Sequence, residues 1–186
     1  MATDRHNETE AQVESIKHPL EHSWGFWLFT NENKKNWLQN QVELTDFDTV
    51  EDYWCLYHHM KLPSELRQGQ DYAIFKKGIS PMWEDAANKA GGRWFINMEK
   101  RASELDRIWF DVVLLMIGEN FGSSNEVVCG AVVNVRGTGR NKISLWTRTV
   151  EEKVNMVIGR KIKEQLRINF KLQFYGHDST NVLYTC

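Results

Sequence analysis

The chain has 186 residues, with 23 Lys and Arg against 25 Asp and Glu and a formal net charge of −2. That length suits one domain whose core needs no staples, and the near-balance of charge excludes a protein that grips nucleic acid through a broad basic surface. No apolar run is long enough to span a membrane and no secretory leader is expected. Three cysteines without metal-ligand spacing (Cys55, Cys129 and Cys186) fit reduced thiols in a cytoplasmic protein, with the nucleus or RNA granules as further places of action.

Residues 1–16 are polar and aperiodic and are expected to form a flexible tail ahead of a single domain over 17–186. Ser23 to Phe29 is aromatic and suits a strand, Asn31 to Lys35 a polar loop, and Leu38 to Phe47 a second strand. Thr49 and Asp52 are spaced as a capping box that opens a helix carrying Trp54 and Tyr57 and fading before Pro63. Tyr72 to Phe75 is a short strand. Gly78 and Pro81 mark the next stretch, to Asp85, as a loop, and Arg93 to Met98 is a strand after the Gly91-Gly92 turn. Ser103 and Asp106 form a second capping box, ahead of an amphipathic helix (Leu105, Ile108, Trp109, Val112, Val113, Met116) that ends near Gly118. Val127 to Val135 is a β-branched apolar run, a buried strand, and Lys142 to Thr147 pairs with it across a glycine turn. Val150, Val154, Val157, Ile158, Ile162 and Leu166 mark a third helix, and Lys171 to Tyr175 a last strand. Several strands are joined by hairpin-like turns, which points to the α+β class: a mainly antiparallel sheet with helices on one face and the other free to carry a site.

Eight tryptophans are many for this length. Trp is hard to bury completely and is favoured where an aromatic plane meets a ligand. In Pro81-Met82-Trp83-Glu84-Asp85 a loop Trp stands beside two carboxylates. That pairing suits a flat base with adjacent N–H donors. Guanine offers N1–H and N2–H to one carboxylate and adenine does not; the motif reads equally well as a Trp-anchored turn with solvated acids. Trp37, at the edge of a polar loop, is either a strand-end core residue or a second stacking plane. A base held between two indoles gains on both faces, and a cationic base gains further. Arg136, Lys142 and Trp146 lie at or along neighbouring strand ends, an arrangement suited to a run of phosphates. No glycine-rich nucleotide loop is present. His58-His59 lack the i, i+4 spacing of metal ligands, and the adjacent Glu84 and Asp85 make a poor glycosidase pair. No catalytic residue, metal or cofactor is assigned.

In order and spacing, KHPLEHSWGFW, FDTVEDYWCLY, PMWEDAANKAGGRW, MIGENFG, VCGAVVNVR and KISLWT resemble the eukaryotic translation initiation factor 4E family, from about Ile16 to about Tyr175. The resemblance implies a curved antiparallel sheet of about eight strands backed by three long helices, a non-enzymatic monomer, and recognition of the 7-methylguanosine cap of messenger RNA. It implies that Trp37 and Trp83 stack on the base, that Glu84 accepts from its N1 and N2, and that the Trp83 backbone N–H donates to O6. Trp146 would lie by the methyl group, Arg136 and Lys142 would meet the phosphates, and Arg93 would help through water, with Arg140 as a further cation. A convex surface of His18, Pro19, Val50, Trp54, Phe110, Asp111, Leu114 and Gly118 is implied to bind a helical peptide of initiation factor 4G or the 4E-binding proteins. The family pattern has Leu-Glu where this chain has Phe110-Asp111, and the 136–142 loop is one residue longer than its commonest form, with Thr138 at a basic position. A repressor or tissue-specific paralogue that recruits 4G weakly is therefore an alternative. A carbohydrate-binding protein with Trp platforms is another. Trp24, Trp27, Trp94 and Trp109 are left to the core.

Overall fold

A computed structural model of the chain describes residues 16–98, 102–137 and 141–186. The expected tail, apart from Ile16, and the cation Arg140 lie outside the described residues. The elements run β1 (Pro19–Phe29), α1 (Trp37–Asn40), β2 (Gln41–Thr49), α2 (Val50–His59), β3 (Asp71–Lys76), β4 (Gly92–Met98), α3 (Ala102–Ile117), β5 (Val128–Asn134), β6 (Asn141–Thr147), α4 (Glu152–Leu166), β7 (Gln173–Gly176) and β8 (Val182–Thr185), with short 3-10 turns at Pro63–Glu65 and Gly122–Val127. The strands form one sheet in the order β2-β1-β3-β5-β6-β4-β7-β8, and every neighbouring pair is antiparallel.

Strand alternation sorts the side chains onto two faces. Trp24 and Phe26 of β1, Tyr72 and Ile74 of β3, Ala131 and Val133 of β5, Ile143 and Leu145 of β6, Trp94 and Ile96 of β4 and Phe174 of β7 all point to one side. There they meet Tyr53 of α2, the apolar stripe of α3 from Leu105 to Met116, and Ile158, Ile162 and Leu166 of α4. At Gly159 α4 comes close against this core: a Cβ there would come within 2.6 Å of the Trp94 ring. The opposite face holds a smaller cluster of Ala73, Phe75, Cys129, Val132 and Trp146, with Trp27 packed against it. Cys129 joins this face although Ala131 and Val133 do not, because the β5–β6 register slips between Val128 and Gly130. Gly130 lies under Phe75, whose ring atoms would sit 2.4 Å from an added Cβ, so only glycine admits the ring there.

Three expectations are corrected. The second strand does not begin at Leu38: Trp37–Asn40 is a helical turn capped by Asn36, and β2 starts at Gln41. Ser103 does not stand ahead of its helix, because α3 already begins at Ala102, and the Asp106 carboxylate accepts from the backbone N–H and hydroxyl of Ser64 at 2.9 and 2.6 Å. Trp27 is only half-buried and belongs to the open face rather than the main core. Thr49 does cap α2: its Oγ1 accepts from the Asp52 N–H at 3.1 Å and donates to the Asp52 carboxylate at 2.6 Å.

Candidate functional site

The open face carries a hollow of about 290 Å³ lined by Arg93, Phe95, Val132, Asn134, Arg136, Lys142, Ser144 and Trp146. Register explains the gathering. Arg93 pairs across β4–β6 with Trp146, Phe95 with Ser144 and Asn97 with Lys142, while Val132 and Asn134 of β5 pair with Ser144 and Lys142 from the other side. Trp146 is buried, edge-on to Phe75 with centroids 5.4 Å apart, and its Nε1–H donates to Ser144 Oγ at 3.1 Å. The expected phosphate cations Arg136, Lys142 and Arg93 are thus brought to one floor. Arg136 is not free, however. Its guanidinium donates both arms to the carboxylate of Asp71, one at 2.9 Å, and that pairing raises its pKa. The Lys142 Nζ stands 5.5 Å above the Phe95 ring. Arg93 lies over Phe95 at 5.2 Å and Trp146 at 5.8 Å, and burial lowers its pKa.

Two loops bring the remaining tryptophans to this face. Trp37 opens α1 behind the Asn36 cap, with the Gln39 side chain closing the box. The buried Asn40 ties the whole loop. Its Oδ1 accepts from Thr30 Oγ1 at 2.7 Å and from the Glu32 N–H at 2.6 Å, and its Nδ2 donates to the carbonyls of Glu32, Lys35 and Asn36. Trp37 is 47% exposed and touches Phe29, whose Cα partner in β3 is Asp71, the counterion of Arg136.

In the second loop the two adjacent acids divide their work. Asp85 is turned inward, accepting from the N–H groups of Ser80 and Ala87, both at 2.9 Å. The buried Asn88 donates to the carbonyls of Ser80 and Met82 at 2.9 and 2.8 Å. Ile79 and Ala87 of this loop pack against the open-face cluster that includes Trp146. Trp83 is 48% exposed and Glu84 is exposed, and the Glu84 side chain is not engaged by any hydrogen bond among the described residues. Trp37 and Trp83 are not in ring contact with each other, so the face offers two separate planes.

On the helix face, Trp54 of α2 is 37% exposed. It meets Phe110 of α3 at 5.8 Å, Tyr57 edge-on at 5.8 Å and His58 in a stack at 5.9 Å. Phe110 also packs on Tyr57 at 4.9 Å, and Asp111 is paired to Arg107 at 2.9 Å. His18 adjoins the start of α2: its carbonyl accepts from the Val50 N–H, and its backbone N–H and Nδ1 contact Glu51 at 2.8 and 2.6 Å. That contact holds the Glu51 carboxyl down to about 2. Pro19 pairs with Thr49, next to the half-exposed Val50. Leu114 and Gly118 follow Phe110 at four-residue steps along and just past α3, on its less buried side.

Five residues that hold these sites in place were not singled out by the sequence. Asn40 and Asn88 look like any loop asparagine, Asp71 like a polar strand start, and Ser144 like a strand filler. His177 follows a strand whose partner on the far side, β8, is not located by the sequence pattern. In sequence, only Asp71 carried a usable signal, an acid opening a strand in a chain whose candidate phosphate cations lay two strands away.

The model of the family described as eukaryotic initiation factor 4E matches residues 19–183. The chain is 49% identical over 170 residues to Eukaryotic translation initiation factor 4E1 of Drosophila melanogaster, covering 89% of this chain and 65% of that protein. It is 46% identical over 178 residues to Eukaryotic translation initiation factor 4E of Xenopus laevis, covering 92% and 83%. Among solved structures it is similar to C. elegans eIF4E-3 in complex with the 4E-binding protein Mextli, at a TM-score of 0.88 and 38% identity, covering 92% of this chain and 100% of that one. It is similar also to Ascaris suum eIF4E-3 in complex with the m7G cap, at a TM-score of 0.87 and 40% identity, covering 91% and 98%. With the sheet, the three long helices and both exposed-tryptophan faces in place, the chain belongs to the eukaryotic initiation factor 4E family.

Proposed function

We propose that the open face binds the 7-methylguanosine cap of messenger RNA and that the helix face passes the captured message to the initiation machinery. The protein is a binding factor and not an enzyme. The observation that carries the reading is the second loop: it spends Asp85 and Asn88 on its own backbone and leaves Trp83 and Glu84 outward, while its Ile79 and Ala87 pack on the open-face cluster that includes Trp146. In this reading Trp37 and Trp83 take the two faces of the methylated base, whose positive charge adds a cation–π attraction to ordinary stacking. Glu84 accepts from guanine N1 and N2, and the Trp83 N–H donates to O6. Trp146 adjoins the methyl group, and Arg136, Lys142 and Arg93, with Arg140, meet the phosphates. Asp71 would hold Arg136 in a fixed fork, so that its charge is partly offset and its direction is set.

The helix face would receive a helical peptide of initiation factor 4G or of a 4E-binding protein, with His18, Pro19, Val50, Trp54, Phe110, Asp111, Leu114 and Gly118 around the groove. Action in the cytoplasm is part of the same proposal. Retention on immobilised 7-methyl-GTP, with release by free 7-methyl-GTP and not by GTP, tests the cap reading; passage through the resin would sink it. A second reading keeps cap binding and weakens 4G recruitment, making the protein a repressor or specialised paralogue. The pairing of Asp111 with Arg107 and the packing of Phe110 on Trp54 and Tyr57 favour it, because both residues are already engaged. A 4G-type peptide that binds as tightly as it does to the Xenopus relative would remove it.

A further inference from the structure

We propose that His177 is a positioning residue for the phosphate chain: an uncharged imidazole that fixes the Arg93 guanidinium across the floor of the hollow without cancelling its charge. The proposal rests on the cap reading above. His177 directly follows β7, which pairs with β4, and its backbone N–H donates to the Gly91 carbonyl at 3.2 Å, just ahead of β4. This places the imidazole at the Arg93 end of β4. Arg93 Nη1 lies 3.3 Å from His177 Nδ1. A guanidinium has donors only, so Nδ1 is the acceptor and the ring proton sits on Nε2. The imidazole is 8% exposed and rests on Trp146 with centroids 4.1 Å apart. Nε2 has no hydrogen-bond partner among the described residues, so the tautomer that serves Arg93 leaves a buried donor unmatched.

The three described cations of the floor are held in three different ways. Arg136 is gripped by a full negative charge, that of Asp71. Lys142 stands over the Phe95 ring. Arg93 is held by two ring faces and one neutral nitrogen, and it forms no ion pair among the described residues. A carboxylate in the place of His177 would orient Arg93 as well, but it would subtract a charge where phosphates need one. An apolar ring would leave the guanidinium free to swing toward solvent. The neutral imidazole does neither. Burial and the neighbouring Arg93 charge keep it uncharged, with its pKa down to about 4.

The test separates orientation from packing. Affinities for 7-methyl-GTP and for 7-methylguanosine are measured by tryptophan quenching in wild type, His177→Phe and His177→Asn; their ratio is the phosphate increment. Phe keeps the ring on Trp146 and removes the acceptor. Asn places its Oδ1 near the position of Nδ1. The increment should fall about fivefold in His177→Phe, on the scale of one lost hydrogen bond to a charged group, with 7-methylguanosine affinity within about twofold of wild type. His177→Asn should recover most of it, and His177→Phe should add nothing in an Arg93→Ala background. An unchanged increment in His177→Phe, equal losses on both ligands, no recovery with Asn, or full additivity with Arg93→Ala would each overturn the proposal. Failure of the wild type to bind either ligand would instead overturn the cap reading.

Discussion

The two faces of the sheet both display tryptophan, but they hold it differently. Trp54 on the helix face is wedged among Tyr57, His58 and Phe110, so its surroundings are aromatic and preformed. On the open face, Trp37 is tilted against Phe29 with centroids 6.3 Å apart, and Trp83 is not in ring contact with any aromatic side chain among the described residues. Those two loops are held instead by buried asparagines that bond to backbone. A ring packed by other rings can offer an edge to an apolar partner. A ring held by its own backbone keeps both faces available for a flat ligand. The contrast links loop chemistry to the proposed function: polar knots would free the indoles for stacking, whereas aromatic packing would shape a groove.

The strongest way to break the comparison is to show that the faces are not separable. Trp54→Ala should cost about 2–4 kcal/mol of 4G-type peptide binding, the loss expected of an aromatic anchor, and leave 7-methyl-GTP affinity within about twofold. Titrating one preparation with both ligands checks it, and a matching loss of cap affinity would show the faces to be coupled. Next in size is the guanine edge. Glu84→Gln should cost about 1.5–3 kcal/mol of cap affinity through the lost charge-assisted pair, with little change in melting temperature. Unchanged affinity would remove Glu84 from the base-reading role.

Trp37→Ala and Trp83→Ala should each cost about 1–3 kcal/mol, one stacking face apiece. Asn40→Ala sharpens the point, because it touches no ligand. It should weaken cap binding by about 1–2 kcal/mol through the loosened Trp37 loop and leave the peptide surface intact. Calorimetry on both ligands checks this; peptide affinity falling in step would mean global damage rather than a local knot. Arg136→Ala should weaken the triphosphate ligand more than the bare methylated base, and equal losses would take Arg136 out of phosphate recognition.

How much of this was legible in the sequence differs between the two faces for a physical reason. The helix face follows from periodicity, since Leu105, Ile108, Trp109, Val112 and Met116 recur at helical spacing and so orient α3. The open face depends on register across strands distant in sequence, and no local pattern states that Arg93 will lie opposite Trp146. Composition near Trp83 offers two adjacent acids and does not say which turns inward, and only the family resemblance picks Glu84; Asp85 turns inward because Ser80 and Ala87 present their N–H groups to it. Because Leu38 to Phe47 alternates loosely, the sequence leaves Trp37 open between a strand-end core residue and a stacking plane. The Asn36 cap and the Asn40 knot overrode that pattern and made a helical turn instead. The last strand, β8, is an edge of four residues; Val182, Tyr184 and Thr185 favour a strand, but the run is short and mostly exposed and shows no alternation of buried and exposed positions.

A last expected effect separates the faces by pH. His177 on the open face has its pKa lowered from 6.5 to about 4, first by burial and then by Arg93. Between those values the unfolded chain takes up a proton that the folded chain refuses, so stability is full above pH 6.5 and falls as the pH drops toward 4. Glu51 beside the helix face has its pKa lowered from 4.5 to about 2 by hydrogen bonds from His18. Its contribution is present above pH 4.5 and is lost only as the pH falls toward 2; because the group is solvent-exposed, the loss is small. The open face should therefore weaken first on acidification. The melting temperature of wild type relative to that of His177→Phe, recorded from pH 7.5 to 4.5, should fall as the pH falls, because the variant has no imidazole for the unfolded chain to protonate. A constant gap across that range would mean that His177 titrates alike in the folded and unfolded chains, and that its burial against Trp146 does not hold it neutral.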